Sequence, residues 1–396
     1  MPLIDSSTSC GPNSPRSTEG GIHQRAWISS TAQQWQTESA LSVAGMNPSP
    51  RKLAMPLPQF AFPKTLLVAV ILAGLAMTGS PQVLATEPPP VAKPATTYAS
   101  SASAQPILRA NDRVVWIGPT WVERDVNYGQ VETELLTRMG SQPFTLRNLG
   151  WSGDTVWAES RGIFDAPAVG YSRLIELAKE LKPTTVWLSY GVNESWAGAA
   201  GLPKFTAQYR QLANDITKAT GARLVFITPY PFEKTVSPVR DPSGQNVMLG
   251  QYVAAIKQLA AELNAPVIDL FTPLAAGESL KAENGLHPDA IGEQIIARRL
   301  ANQFRYAAED GSAAVSVTVP EPDREELRQA VVAKNTLFFH RWRPQNITYL
   351  TGFRKHEQGN NAVEIAQFDP LVDAAEKSIQ QWLSARSEVK PTPGKP

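Results

Sequence analysis

Apolar and polar positions divide the chain into a regularly patterned middle and two ends without periodicity. Residues 113–118 (Arg113-Val114-Val115-Trp116-Ile117-Gly118) form a short apolar run, and later runs cover 144–148, 185–190, 223–228 and 266–270. Each is rich in Val, Ile, Leu or aromatic residues and is bounded by Gly, Pro or Asn, the usual pattern of strands buried on both faces. Between them, residues 128–138, 172–181, 204–220 and 247–263 carry apolar side chains at three- and four-residue spacing, as Tyr209, Leu212, Ala213 and Ile216 do. That spacing predicts helices with one apolar stripe. Gly221 and Asn264 stand where helix C-caps belong. Alternation of strand and helix predicts a doubly wound parallel sheet, because right-handed crossovers leave few other topologies.

The ends read differently. Arg51, Lys52 and Lys64 precede an apolar run over 65–77, and Val83-Leu84-Ala85 offers a small-residue cleavage site. This is the layout of an export signal, so the mature chain is expected to begin near Thr86, with an uncleaved membrane anchor as the alternative. The resulting organisation is a polar leader over 1–45, in front of a possible true start at Met46 or Met55, and a signal peptide over 46–85. A flexible linker over 86–108 leads to a globular domain over 109–308. A linker over 309–322, a C-terminal extension over 323–386 and a tail over 387–396 complete it. Localisation follows as periplasmic or extracellular, with no stable membrane insertion once the signal is cleaved.

Composition removes several function classes. The formal net charge of +1 gives no electrostatic footprint for nucleic acid or for a charged membrane surface. Cys10 is the only cysteine and lies in the leader, so the mature chain has no disulfide, thiol nucleophile or thiolate metal site. No Cys-x-x-Cys-His motif is present, which excludes covalent haem attachment. No metal or organic cofactor is expected.

Candidate chemistry sits in blocks at the ends of the predicted strands. They are Gly118-Pro119-Thr120, Asn148-Leu149-Gly150-Trp151-Ser152-Gly153-Asp154-Thr155, Gly191-Val192-Asn193-Glu194 and Asn284-Gly285-Leu286-His287-Pro288. Thr120 is either an alcohol nucleophile or merely the cap of the following helix. Gly150 and Gly153 permit tight turning and close backbone approach. Asn193 offers a neutral NH2 donor suited to a developing oxyanion, or it forms a plain turn. His287 can take a hydroxyl proton near neutral pH.

The order and wording of these blocks resemble the SGNH, or GDSL-type, hydrolase superfamily. The resemblance implies an α/β flavodoxin-like three-layer sandwich with a five-stranded parallel sheet, followed here by a helical or irregular extension. It implies ester hydrolysis in which Thr120 stands for the usual serine, His287 is the base, and Asn284 replaces the Asp that normally orients the ring. Gly153, Asn193 and the Thr120 amide then form the oxyanion hole. Asn for Asp weakens the base, since a carboxamide can orient the imidazole but cannot compensate its charge. Glu194, Trp151, Trp196 and Arg124 are expected to line the substrate cleft, with Glu194 an alternative activator of water. The pair Glu123-Arg124 and the tail segments 340–346 (His340-Arg341-Trp342-Arg343-Pro344-Gln345-Asn346) and 352–361 resemble exported members from planctomycete-type bacteria. The expected substrate is a small-molecule or glycan ester, with a second exported protein as a possible partner. The alternative is a weak or inactive domain that binds a glycan through Trp151, Trp196 and Trp342 or serves as a scaffold.

Overall fold

The computed structural model describes residues 106–235, 241–275, 279–282, 284–308, 310–311, 319–321 and 323–387. The expected leader, export signal, most of both linkers and residues 388–396 lie outside the described residues.

Strands β1 (Leu108–Arg109) and β7 (Tyr306–Ala307) pair in a small parallel ribbon. The main sheet holds β2 (Arg113–Gly118), β3 (Thr145–Gly150), β4 (Thr185–Leu188), β5 (Arg223–Ile227) and β6 (Val267–Ile268). Its order is β3-β2-β4-β5-β6 and every pairing is parallel. This is the flavodoxin-like order, and the chain reverses its direction of winding at β2. Loops after β2, β3 and β4 therefore open onto one crevice at the carboxyl rim, where ligands of such sheets bind.

The apolar run of β2 explains the layers. Val114 and Trp116 point to one face, Val115 and Ile117 to the other, and all are buried. On the first face pack α1 (Thr120–Tyr128), α2 (Gln130–Met139) and α7 (Ala290–Gln303), through residues such as Leu135, Leu136, Ile296 and Leu300. On the second pack α3 (Pro167–Glu180), α4 (Gly198–Thr220) and α5 (Ser243–Glu262), through Leu174, Leu212, Ile216, Ile256 and Leu259. Phe271–Ala275 adds a short α6. The alternation of period two in β2 thus assigns each residue to one of two cores.

Two expectations shift. The helix predicted over 128–138 begins at Gln130, because Gly129 at φ +61° separates it from α1, which ends at Tyr128. Two predicted strands run too long, since 189–190 and 269–270 leave the ladder to build the rim, whereas β3 continues two residues past its predicted end, to Gly150.

The extension folds as α8 (Asp323–Trp342), short helices α9 (Ile347–Leu350) and α10 (Lys355–Gln358), a 3-10 segment Gly359–Gln367 and α11 (Phe368–Ser387). It packs beside α1, α2 and β3, the edge strand of the main sheet. Lys334, with no exposed surface, donates to Glu132 Oε2 at 2.7 Å and to Leu146 O at 3.1 Å. Arg147 of β3 pairs with the Glu376 carboxylate of α11. An edge strand covered in this way presents no free template for another chain.

Candidate active site

The site starts where β2 turns into α1. Pro119 occupies the N-cap without a side-chain bond, and Thr120 is the first helical residue. The helix crosses the rim so closely that a Cβ on Gly150 would lie 2.2 Å from Glu123 N, which is why β3 ends in a residue without a side chain. The Thr120 hydroxyl does not cap its own helix. Its Oγ1 accepts a hydrogen bond from Gly153 N at 3.0 Å, joining the first block to the second. As a first-turn residue, Thr120 also has an amide without an intrahelical acceptor.

The turn that carries Gly153 is pinned from below. Trp151 N donates to Gly118 O at 3.0 Å. Asp154, fully buried, accepts from Arg161 Nε and from Tyr190 Oη, both at 2.7 Å, and Arg161 Nη2 donates to Leu149 O at 2.8 Å. A buried carboxylate needs such partners, because desolvating it alone is prohibitive. Burial, then the Asp154 charge, holds the Tyr190 phenol well above its ordinary range, so it stays a neutral donor. Asp154 is therefore the anchor of a buried network rather than a helix cap.

The third block joins the same turn. Asn193 Nδ2 donates to Asp154 O at 2.7 Å, which ties the third block to the turn that carries Gly153. Glu194, only 5 % exposed, accepts from Val156 N at 2.8 Å and Gly191 N at 2.9 Å. Its expected roles toward substrate or water are corrected: both oxygens face the protein and tie the second and third blocks together. Burial pushes its carboxyl up to about 7.

The fourth block hangs on a different set of contacts. Asp289 caps α7, accepting from Ile291 N and Gly292 N. Glu233 grips the preceding loop: its carboxylate accepts from Leu280 N and Ala282 N, and its own N–H donates to Gly285 O at 2.8 Å. Gly285 has φ +77° and a Cβ there would lie 2.5 Å from Glu233 O, so the grip needs glycine. Tyr230 Oη donates to Leu286 O at 2.9 Å, and its ring meets Trp121 of α1 edge-on at 5.7 Å. Arg124, one helical turn beyond Thr120, donates to Pro288 O at 3.3 Å. These contacts dock the His287 loop against the helix that begins with Thr120. Among the described residues no hydrogen bond joins the Thr120 hydroxyl to His287 directly.

Asn284 meets the imidazole with the opposite polarity to that expected. Its Oδ1 accepts from Leu286 N at 3.1 Å and His287 N at 2.8 Å, which leaves Nδ2 against His287 Nδ1 at 2.9 Å. The NH2 group can only donate, so Nδ1 is the acceptor and the neutral ring carries its proton on Nε2. A triad carboxylate does the reverse, accepting Nδ1–H and freeing Nε2 as the base.

Three further expectations change. Arg124 points at Tyr128 and Pro288, so it holds a loop rather than lining a cleft. Trp151 is half-buried and packs on the extension, with the Arg343 guanidinium 3.8 Å from its ring centroid and Trp342 5.7 Å away, and Trp342 is itself buried, so it is not open to a sugar. Trp196 is 65 % exposed, braced on Phe232. Arg161, Tyr190, Glu233 and Arg343 were not legible as site residues, because each acts through contacts distant in sequence. Among the described residues no group of three or more His, Cys, Asp or Glu gathers to hold a metal ion, and no helix is long and apolar enough to cross a membrane.

Comparison with known proteins meets this geometry. Residues 118–295, which run from the first block through the fourth, match the model of the GDSL-like Lipase/Acylhydrolase family. This segment is therefore similar to GDSL-like lipase/acylhydrolase domains. Solved structures similar to the chain include a gut microbial diltiazem-metabolizing enzyme, 12% identical, with 72% of this chain and 97% of that chain covered at a TM-score of 0.47. A GDSL-like lipase from Bacteroides thetaiotaomicron is 20% identical over 48% of this chain and 86% of its own, at a TM-score of 0.35. An aryl esterase from M. smegmatis is 14% identical over 48% and 97%, at 0.37. No curated protein sequence matches the chain.

Proposed function

We propose that the GDSL-like domain hydrolyses an O-acyl ester with Thr120 as nucleophile. The observation that carries this reading is the 3.0 Å bond from Gly153 N to Thr120 Oγ1, with Asn193 held alongside through Asp154 O. An alcohol bonded to one neutral donor, with a second neutral donor tied to the same turn, supports acyl transfer at this rim. In the reaction Thr120 Oγ attacks the ester carbonyl and its proton passes to His287. The tetrahedral oxyanion is held by Gly153 N–H, Asn193 Nδ2 and the Thr120 amide. Collapse expels the alcohol, which takes the proton from His287, and water repeats the sequence to release the acid from Thr120.

His287 is the slow element. To accept at Nε2 the ring must move its proton to Nδ1, where it would face the Asn284 NH2. Turning the carboxamide over relieves that clash but breaks both Oδ1 bonds to the loop backbone. Slow turnover is the consequence. The proposal includes export, supported by the apolar run over 65–77 behind Arg51 and Lys52. It includes acyl groups on carbohydrate, supported by Trp196 standing exposed close to Asn193. It also places the chain with the exported planctomycete-type members that its tail segment 340–346 resembles.

Purified protein assayed with an aryl acetate tests the reading. Turnover that His287→Ala and Thr120→Ala each reduce by at least about 10²-fold supports it; equal slow release from wild type and both variants ends it. The Asn284 polarity favours a second reading, a domain of this family that binds an ester or glycan without turning it over. Saturable binding with no acid released would select that one.

A further inference from the structure

We propose that the C-terminal extension completes the active site, with Arg343 acting as a positioning residue that clamps the oxyanion turn Trp151-Ser152-Gly153. This deepens the ester-hydrolase reading and rests on it.

Ser152 and Gly153 are exposed, and their backbone leaves the sheet between the anchors at Trp151 N and Asp154. Within that span, beside the bond from Gly153 N to Thr120 Oγ1, Glu123 Oε2 accepts from Ser152 N. The same oxygen accepts from Arg343 Nη1 at 2.7 Å, and the ion pair is mostly shielded, with side-chain exposures of 21 % for Glu123 and 23 % for Arg343. The Arg343 guanidinium then lies over the Trp151 ring at 3.8 Å, the residue immediately before Ser152. One side chain therefore fixes the turn twice, by charge through Glu123 and by stacking on Trp151.

Arg343 is itself rigidly mounted. Its N–H donates to Phe339 O at 2.8 Å at the end of α8, a helix seated in the core by the buried Lys334–Glu132 pair and by Leu327, Val331 and Phe338. A clamp on a core-packed helix transmits little looseness to the turn it holds. Gly153 N–H is the next amide after the clamped one, and it is the donor already aimed at Thr120 Oγ1. A shift of about 1 Å in such a donor costs about 10²-fold in rate. A lysine at 343 would keep the charge but lose the planar stacking and the fork.

The test compares full-chain wild type, Arg343→Met and Arg343→Lys by amide hydrogen exchange and by aryl acetate kinetics. The expected result for Arg343→Met is exchange at Ser152 to Asp154 at least about 10-fold faster, with the β2 amides unchanged. With it, kcat falls about 10- to 100-fold while KM moves little, and Arg343→Lys recovers part of the loss. Unchanged exchange at the turn overturns the clamp whatever the kinetics show. Faster exchange with kcat intact overturns its catalytic meaning. A wild type that exchanges as expected but never turns over ester removes the hydrolase reading, and the clamp then stands as a structural contact alone.

Discussion

The turn at Trp151–Asp154 and the histidine loop are held in different ways. The turn is tied at every stage: Gly118 O beneath it, the Asp154–Arg161–Tyr190 network behind it, Asn193 beside it and Arg343 with Glu123 above it. The loop depends chiefly on Glu233, Tyr230 and Arg124, and the Asn284 carboxamide faces its imidazole at Nδ1. The difference separates two requirements of catalysis. On the proposed reading, the donors for an oxyanion are held firmly while the proton acceptor starts in the wrong tautomer.

The sharpest way to break this contrast is Asn284→Asp. One carboxylate oxygen keeps the bonds to Leu286 N and His287 N, and the other replaces the NH2 and accepts Nδ1–H. The expected rise in kcat is about 10²- to 10⁴-fold, by analogy with serine-protease triads where the opposite exchange costs about 10⁴. Stopped-flow or steady-state hydrolysis of an aryl acetate reads it, and no rise would mean that the imidazole does not limit turnover.

On the other side, Arg161→Met strands the Asp154 carboxylate with Tyr190 as its remaining side-chain partner. Removing one partner of a buried pair costs about 3–5 kcal/mol, so the urea midpoint should drop markedly and turnover with it. A loss below about 1 kcal/mol would show that water reaches Asp154 freely.

In α1, the helix that begins with Thr120, lies a buried carboxyl that should make stability fall with pH. Burial raises Asp125 of α1 to about 7, and its Oδ2 has no hydrogen-bond partner. A folded value above the ordinary 3.8 means that the native state binds the extra proton. The stabilisation is full below about 4 and is lost as pH rises through about 7. Denaturation at pH 5 and pH 8 should differ by on the order of 2–4 kcal/mol on this account, and Asp125→Asn should flatten the difference. Glu293, also raised by burial, contributes in the same direction.

A smaller effect sharpens the loop's half of the comparison. Glu233→Gln turns one acceptor into a donor against Leu280 N or Ala282 N, and the expected cost is about 1–2 kcal/mol of stability with about a 10-fold lower kcat. Exchange of the amides at 280–287 should quicken while those of the oxyanion turn stay slow. Equal quickening in both would show that the two regions are one unit. Smallest of all, Trp196→Ala should leave stability within about 0.5 kcal/mol, as an exposed side chain predicts, and should raise KM if the side chain meets substrate.

Much of the architecture was legible from the linear pattern. Buried strands announce themselves by continuous apolar runs, and the blocks after 118, 150, 190 and 283 mark where the rim lies, because Gly, Asn and Pro are needed wherever a strand turns sharply into a loop or helix. That ordering fixed the parallel sheet and put Thr120, Gly153 and Asn193 on one rim. Tertiary structure alone decided what Glu194, Arg124 and Trp151 do, since each looks like a cleft residue until its partners are known. It also decided the direction of the Asn284 hydrogen bond and the reach of Arg343 across the chain. The physical reason is that strand and helix follow from local spacing of apolar residues, whereas the role of a polar side chain depends on which donors and acceptors the fold carries to it.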